Sequence, residues 1–401
     1  MLLSVQLYVK TGCGFRGVVS ILSILKDIMG WDLDIPCHNS IENWVKKSGL
    51  SIYREPVKPV MQKDYALITD ESMMIGSQRM LLTVGVKANH QGCPLSHSDV
   101  EVLGIGVRST WNAQSICTEL KEISGQANHS PSYVISDNAS VMNRAIKDFD
   151  SPQIKDISHT LGMFMERIYS KDAEFTSYMK ELSQVKFKHI MNPVAYLLPP
   201  KQRSVARFLN LSQVVDWSDK ILANYAKLKT EEKQIFSFIP SYSSLINELR
   251  TILSCINFIE YEIKHNGLSR ESVNRCRKSI KRNLFVKNKR MENVAMLIMN
   301  YFRNEIKKLP SPTSCWNASS DIVESIFGVY KSRKSPNQLH GVTPFALFLP
   351  LHARIGSKNG IVSFDFKSSL ESVFMSDIDA WKTNKLSENM AYKRIKMLKA
   401  A

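Results

Sequence analysis

Two aspartates in this 401-residue sequence stand where their carboxylates could share a divalent metal ion. Asp70 follows the apolar, β-favouring residues 65–69, and Asp137 follows a second such run at residues 132–136. Runs of this kind predict strands. A carboxylate at the end of a strand is held in a fixed position, which metal-assisted chemistry requires. Two of them in one sheet would form the first part of a magnesium site, because Mg²⁺ prefers carboxylate oxygens.

A third acid, Glu324, lies in a segment whose apolar residues recur at helical spacing. Glu324 and Lys331 are two helical turns apart on one face, so a carboxylate and a phosphate-binding ammonium would point the same way. Asp321, one turn earlier, is the rival ligand. Each acid has a plain alternative, since strand-terminal Asp often only forms a turn and a helix Glu is often only solvated. Their order and placement together favour metal ligation.

Further candidates for this chemistry lie elsewhere in the chain. Asp156 and His159 could support the metal ligands, although His159 could equally cap the helix predicted over Thr160–Tyr169. The spacing His90-x2-Cys93-x3-His97 is metal-like, but it lacks a fourth ligand and lies in a polar turn. It therefore predicts a loop.

The elements that must position the acids follow one another from residue 61 to about 170. Three consecutive strands followed by alternating helices and strands predict an α/β fold with a mixed sheet of the RNase H-like kind. In that arrangement the first and fourth strands are neighbours, which would bring Asp70 and Asp137 together. The predicted elements are strands Tyr65–Asp70, Met80–Val86 and Val100–Val107, helix Trp111–Ile123, the strand ending at Asp137, helix Ala139–Phe149, strand Ile154–Ile157 and helix Thr160–Tyr169.

Composition narrows the class of partner. Apolar residues make up 44% of the chain and charged residues 22%, which is ordinary for a folded protein. The net charge of +16 and the pI near 9.4 favour a polyanionic partner, with nucleic acid ahead of an anionic membrane surface. No apolar run approaches the roughly 18 residues of a membrane span. Seven cysteines without a pairing pattern suggest reduced thiols in a cytoplasmic protein.

Residues 1–50 are predicted to form a small helical domain. Apolar residues recur at helical spacing over 18–29 and stop at Gly30. A second helix is predicted to begin at Asn39, whose side chain would cap it, and to end at Gly49.

The second of these helices is basic, which makes the pair a candidate helix-turn-helix for DNA binding. Lys46 and Lys47 would then contact DNA; the alternative is a helical hairpin used for packing or dimerisation. Pro56 and Pro59 block regular structure and mark residues 51–60 as a linker.

The segment 171–313 is predicted to be a mostly helical insertion, since it is far too long for one loop in a compact sheet domain. Within it, residues 275–290 carry eight Lys or Arg and no acid. Contacts from these side chains to DNA phosphates would be salt-dependent and largely sequence-independent; a solvated helix face is the alternative. The candidate DNA-binding residues of this segment are Arg277, Lys278, Lys281, Arg282, Lys289 and Arg290.

Residues 314–357 are predicted to complete the sheet domain with the helix that bears Glu324. Arg333 and Lys334 follow it as a second basic patch near the presumed site. Residues 358–401 form a C-terminal region with weak helix and strand signals.

Together these features resemble a DDE transposase with an RNase H-like core, of the bacterial insertion-sequence type. Asp70, Asp137 and Glu324 match that family's acid triad in order and placement. Glu324-x6-Lys331 matches the tail of a signature found in some bacterial branches, although Ser320 stands where that signature has Arg. The residues 156–159, Asp-Ile-Ser-His, resemble the Cys/Asp-x2-His signature after the second acid in several transposase superfamilies.

The resemblance covers about residues 61–170 and 315–345, and it implies a fold, a reaction and partners. The expected fold is an RNase H-like mixed sheet interrupted by a long helical insertion, with a small helical N-terminal domain. The three acids would hold two Mg²⁺ (or Mn²⁺) ions that activate first water and then a DNA 3′-hydroxyl. The expected partners are transposon-end and target DNA and further copies of the chain, with no membrane and no small-molecule substrate.

The resemblance further implies a cytoplasmic, nucleoid-associated protein in a bacterium. Two other functions remain open from the sequence. One is an RNase H-like nuclease or resolvase that cuts without strand transfer. The other is a domesticated, catalytically inactive copy that binds DNA and regulates, because a fold does not settle function.

Overall fold

A computed structural model describes residues 1–32, 34–56, 58–75, 78–127, 129–201, 208, 211–285, 288–335, 337–355, 364–388 and 390–400. Backbone contacts divide the chain into two units. The first unit comprises Met1–His90, Pro94–Ile154 and Ser320–Ala401. The second unit comprises Gln91–Cys93 and Lys155–Ser319.

The apolar runs between residues 65 and 155 form a five-stranded mixed sheet in the order β3-β2-β1-β4-β5. β2 pairs antiparallel with both β1 and β3, and β1 pairs parallel with β4. The prediction that the first and fourth strands are neighbours is confirmed. The strands are β1 (Tyr65–Ile75), β2 (Gln78–Lys87), β3 (Val100–Arg108), β4 (Tyr133–Ser136) and β5 (Gln153–Lys155).

Most of the remaining described residues are helical, because apolar residues recur at the helical period and are buried along one side of each long helix. The helices are α1 (Leu2–Lys10), α2 (Phe15–Met29), α3 (His38–Arg54), α4 (Ala113–Ser124), α5 (Ser140–Phe149), α6 (Ile157–Tyr169), α7 (Ala173–His189), α8 (Leu211–Asn224), α9 (Thr230–Ile235), α10 (Ser243–Asn266), α11 (Arg270–Asn283), α12 (Lys289–Ile306), α13 (Asp321–Arg333), α14 (Phe348–Ile355), α15 (Phe366–Glu371), α16 (Met375–Lys385) and α17 (Met390–Ala400). None of the helices in the described part of the chain is long and apolar enough to cross a membrane.

β1 is longer than predicted. The polar residues 70–72 indicated the end of a strand, but they pair with Leu82, Leu81 and Met80 of β2 in an antiparallel hairpin that continues to Ile75. Pairing with β4 stops much earlier, at Ile68 opposite Ile135. β1 therefore pairs with β2 along its length but with β4 only over residues 66–68.

One face of the sheet is covered by α4 and α5. The core between them contains Leu67 of β1, Leu81 of β2 and Val134 of β4, together with Ile116 and Leu120 of α4. Because side chains alternate along a strand, Ile68 and Asp70 point to the opposite face of β1. The acid thus lies on the face that α4 and α5 leave uncovered.

The N-terminal helices belong to the same unit as the sheet and do not form a unit of their own. α2 ends at Gly30 as predicted, in the left-handed conformation (φ 63°). α3 differs from its prediction at both ends: Cys37, not Asn39, precedes the helix, and the helix passes through Gly49 to Arg54. Gly49 is tolerated inside the helix because α3 packs against the segment that leads into α14.

The structure does not favour a helix-turn-helix in this region. Residues 30–37 separate α2 from α3, which is longer than the three- to four-residue turn of that motif. α3 also packs against α14, α15 and α16, so much of its surface is used within the unit. Lys46 pairs with Glu42 at 2.5 Å, and Lys47 is only partly exposed.

Alanine substitutions at two helical glycines are expected to change stability in opposite directions. A Cβ at Gly49 would lie 1.8 Å from the carbonyl oxygen of Leu347, whereas a Cβ at Gly328 in α13 would meet nothing within 4 Å. Gly49→Ala should therefore lower the free energy of unfolding by about 2–3 kcal/mol. Gly328→Ala should raise it by about 0.5–1 kcal/mol. Urea denaturation of both variants measures these changes; equal effects would contradict the placement of α3.

The helical insertion is the core of the second unit. The sequence placed its start at residue 171, but the second unit already begins at Lys155 and ends at Ser319. α6 was assigned to the sheet domain, yet it packs against α10 and α12 and so belongs with the insertion. The predicted C-terminal region contains α15, α16 and α17.

Candidate active site

The two aspartates follow matching segments of neighbouring parallel strands. Ala66, Leu67 and Ile68 of β1 lie opposite Tyr133, Val134 and Ile135 of β4. Asp70 and Asp137 each come two residues after the last of these pairs, and Asp137 directly follows the end of β4. If the register continued, the two aspartates would be opposite each other on strands about 4.8 Å apart.

Each aspartate is oriented by a nearby backbone amide. Asp137 Oδ1 accepts a hydrogen bond of 3.0 Å from the amide of Ala139, where the chain turns from β4 into α5. Asp70 Oδ1 accepts one of 2.7 Å from the amide of Glu71. Both carboxylates are only partly buried, so they remain accessible from the edge where the parallel pairing ends.

Glu324 lies in the first turn of α13, as predicted. The helix buries Ile322, Val323, Ile326 and Tyr330, whose helical spacing predicts an apolar side. It packs against β1 and β2. Glu324 and Lys331 lie on its exposed side.

Lys331 connects α13 to the strand that carries Asp70. Its Nζ donates a hydrogen bond of 2.7 Å to Ser72 Oγ, and Ser72 is on the same face of β1 as Asp70. Desolvation and the charge of Lys334 lower the pKa of Lys331, whereas the charges of Asp70 and Glu324 raise it; the net shift is downward. Lys331 therefore lies within the electrostatic reach of two of the three acids.

The donor set suits a hard cation, because it consists of carboxylates and contains no thiolate or imidazole. As the side chains lie, no three His, Cys, Asp or Glu within the described residues form a group that could hold a metal ion. The sheet fixes the backbone positions of Asp70 and Asp137, and the carboxylates would have to turn toward a shared ion.

The neighbouring acid Glu71 has a different role. It points to the other face of β1 and forms an ion pair of 2.6 Å with Arg79 of β2. Asp321 is the first residue of α13 and is exposed. Glu324 remains the acid on the face of α13 that also carries Lys331.

Asp156 and His159 lie in the second unit, at the start of α6. Asp156 is fully buried, and its Oδ1 accepts a 2.7 Å hydrogen bond from the amide of His159. The helix cap is thus Asp156, whereas the sequence had suggested His159 as a cap. Capping gives Asp156 a structural role in this unit.

Arg333 is not placed to bind DNA, contrary to the prediction. Its guanidinium donates hydrogen bonds to the backbone carbonyls of Tyr8, Val9 and Thr11, and it lies over the rings of Tyr8 and Phe348. These carbonyls end α1, so the cation stabilises that helix terminus. Lys334 follows α13 and is partly exposed.

The basic segment of the insertion divides into structural and exposed cations. Arg290 pairs with Asp172, Glu174 and Glu248 at 2.8–3.0 Å, and Arg275 pairs with Glu262 and Glu271 at 2.5 Å. Arg290 is therefore a structural residue and a poor candidate for DNA contact. Of the other cations that the structure describes in this segment, Arg277 is partly exposed and Lys278, Lys281, Arg282 and Lys289 are exposed.

Sequence reasoning missed Ser72 as a partner of the site. The signal was present, because residues two apart on a strand share a face and Ser72 follows Asp70 by two. It was hidden by the assumption that the strand ends at Asp70.

Comparisons with known proteins do not assign the chain to a family. It matches no protein-family model, and no curated protein is significantly similar to it.

Proposed function

We propose that the protein carries out metal-dependent phosphodiester chemistry on DNA, as a DDE transposase does when it cleaves the ends of a mobile element and joins them to a target. The observation that carries this proposal is the parallel register of β1 and β4, which would align Asp70 with Asp137 if it continued two residues beyond Ile68 and Ile135. The strand order is also that expected of an RNase H-like sheet.

α13 supports the proposal by bringing an acid and a cation to the same strand. Glu324 and Lys331 share its exposed side, and Lys331 bonds to Ser72 beside Asp70. Carboxylates alone would repel a phosphodiester. A metal bound by Asp70, Asp137 and Glu324 would supply positive charge and a nucleophile activated at neutral pH.

Residues of the chain itself would hold the metal ligands in place and bind the phosphate. Asp70 is held by the hairpin and Asp137 by its turn, so the backbone of each would be in place before its carboxylate turns toward a metal ion. The ammonium group of Lys331 would bind a non-bridging phosphate oxygen and stabilise charge that develops on it. Ser72 keeps that ammonium group next to β1 in the absence of DNA.

The exposed cations of α11 would supply affinity without sequence preference. Lys278, Lys281 and Arg282 lie on the exposed side of a helix that buries Val273, Cys276 and Ile280. This surface, Lys278, Lys281 and Arg282, is called the α11 basic face below. It would contact the DNA backbone.

The test is an end-cleavage assay with Mg²⁺ and DNA that contains the flanks of the element from which the gene is taken. Nicked ends and joined products together would support a transposase. Nicked ends without joined products would favour a nuclease or resolvase, and salt-sensitive binding without cleavage would favour a regulator. Failure to bind DNA at all would refute the proposal.

The α11 basic face makes a separate prediction about salt dependence. Replacing all three of its residues by Ala should reduce the slope of log K against log salt concentration by about 2–3, because each lost phosphate contact removes about 0.9. Fluorescence anisotropy with duplex DNA at several NaCl concentrations measures the slope. Lys220→Ala, an exposed lysine of α8, is the control. An unchanged slope in the triple variant would exclude this face from the DNA interface.

A further inference from the structure

Two histidines meet beside the first turns of α13. His97, in the short 3-10 turn His97–Asp99 that precedes β3, places Nε2 3.0 Å from Ser325 Oγ. Ser325 follows Glu324 directly. The ring of His97 lies 4.9 Å from that of His352 in α14, at an angle of 64°. The sequence predicts only a loop around His97, and it predicts no role for His352.

The surroundings of the two rings favour their neutral forms. Both ring nitrogens of His352 are buried, without a hydrogen-bond partner among the described residues. Burial, together with His97 and Arg333, lowers the pKa of His352 to about 4. Burial also lowers the pKa of His97. Asp99, the acid of the same turn, is bound by Ser96 through both its amide and its hydroxyl.

We propose that His97 is a positioning residue, whose neutral ring holds Ser325 and thereby the turn of α13 that carries Glu324. The role of Glu324 in this inference rests on the proposed function. The two rings meet where α14 contacts both α13 and the 3-10 turn. Charging His352 would place a second cation near Arg333 and weaken the contacts between these elements.

The direction of the pH dependence follows from the lowered pKa of His352. An unfolded chain binds this proton near pH 6.5, whereas the native protein resists it until about pH 4. The native arrangement is therefore fully favoured above pH 6.5 and loses stability as the pH falls toward 4. Because His352 packs against His97 and His97 contacts Ser325 of α13, the loss should be felt first at the N-terminal turns of α13.

Hydrogen exchange tests this role without DNA or metal. The protection of amides 320–327, corrected for intrinsic exchange, should fall by about tenfold between pH 7 and pH 5 in the wild-type protein. Ser325→Ala should reduce this protection at both pH values, and Ser332→Ala, at an exposed serine of the last turn of α13, should not. Since Ala is a better helix former than Ser, loss of protection would point to the missing histidine contact.

The double variant His97→Gln/His352→Phe removes both titrating groups and keeps an amide that can bond to Ser325. It should retain its protection from pH 7 to pH 5. Wild-type protection that does not change with pH, or a Ser325→Ala variant that exchanges like the wild type, would overturn the inference.

The nicking rate gives a second readout. Ser325→Ala should lower the maximal rate of Mg²⁺-dependent nicking about fivefold with unchanged DNA affinity, as loss of one hydrogen bond predicts. If exchange behaves as expected but no form of the protein nicks DNA, the positioning of α13 stands and the proposed function fails. If nicking occurs and Ser325→Ala leaves its rate unchanged, the inference fails and the function stands.

Discussion

Asp70→Asn and Asp137→Asn are each expected to lower the rate of Mg²⁺-dependent DNA nicking by about a thousandfold or more. An amide keeps the shape of the carboxylate but loses the charge that would bind the cation and so stabilise the transition state. DNA affinity should fall little, because neither substitution removes a cation. Single-turnover cleavage and anisotropy binding, measured on the same preparations, separate the two effects.

Glu71→Gln is the matched control for this experiment. Glu71 adjoins Asp70 in the chain, carries the same charge and forms an ion pair with Arg79 on the other face of β1. Its replacement should leave the nicking rate within about twofold of wild type, since an exposed ion pair contributes at most about 1 kcal/mol. Wild-type nicking in both Asn variants would refute the assignment of the acids.

Arg290→Met is expected to lower the free energy of unfolding of the second unit by about 3–5 kcal/mol. Arg290 bonds to Asp172, Glu174 and Glu248, and the side chain of Glu248 is only 5% exposed. Tyr169 and Asn288 also donate hydrogen bonds to that carboxylate. Removal of the arginine leaves a buried charge without its cation, which costs more than the loss of a surface pair. Urea denaturation followed by circular dichroism measures the change.

The neighbouring Lys289→Met variant controls for loss of a positive charge. Lys289 is exposed, so its replacement should change stability by no more than about 0.5 kcal/mol. Adding Glu248→Gln to Arg290→Met should restore part of the lost stability, because it removes the unpaired charge. Equal stability of the Arg290 and Lys289 variants would show that the network contributes nothing, and Arg290 would return as a DNA-binding candidate.

The strand order and the helix of Glu324 could be predicted because they depend on local periodicity and on general rules of chain connection. The apolar residues 65–68 and 133–135 include β-favouring Tyr, Ile and Val, and the spacing of Ile322, Val323 and Ile326 is typical of a helix. The extent of β1 could not be predicted in this way. Residues 70–72 are polar, and only their pairing with β2 makes them part of a strand.

The roles of the arginines could not be predicted for a related reason. Local sequence shows that Arg290 and Arg333 are charged, but the groups that bind them are far away in the chain. The acids around Arg290 precede it by 42 to 118 residues. The carbonyls bound by Arg333 precede it by more than 300. Counting the cations of residues 275–290 therefore overstated how many are free of acidic partners. Among those that the structure describes, Arg277, Lys289 and the α11 basic face stay candidates for DNA contact.

The contacts of Arg333 determine how far the N-terminus of this protein can be shortened. Its guanidinium sits at the last turn of α13 and at the end of α1 simultaneously. A shortened chain that starts after Thr11 would lack the three carbonyl oxygens and the ring of Tyr8, and would leave the guanidinium against Phe348 without these acceptors. Fragments that are to retain Asp70, Asp137 and Glu324 should therefore keep residues 1–11, because α13 otherwise loses the hydrogen bonds of Arg333 to α1.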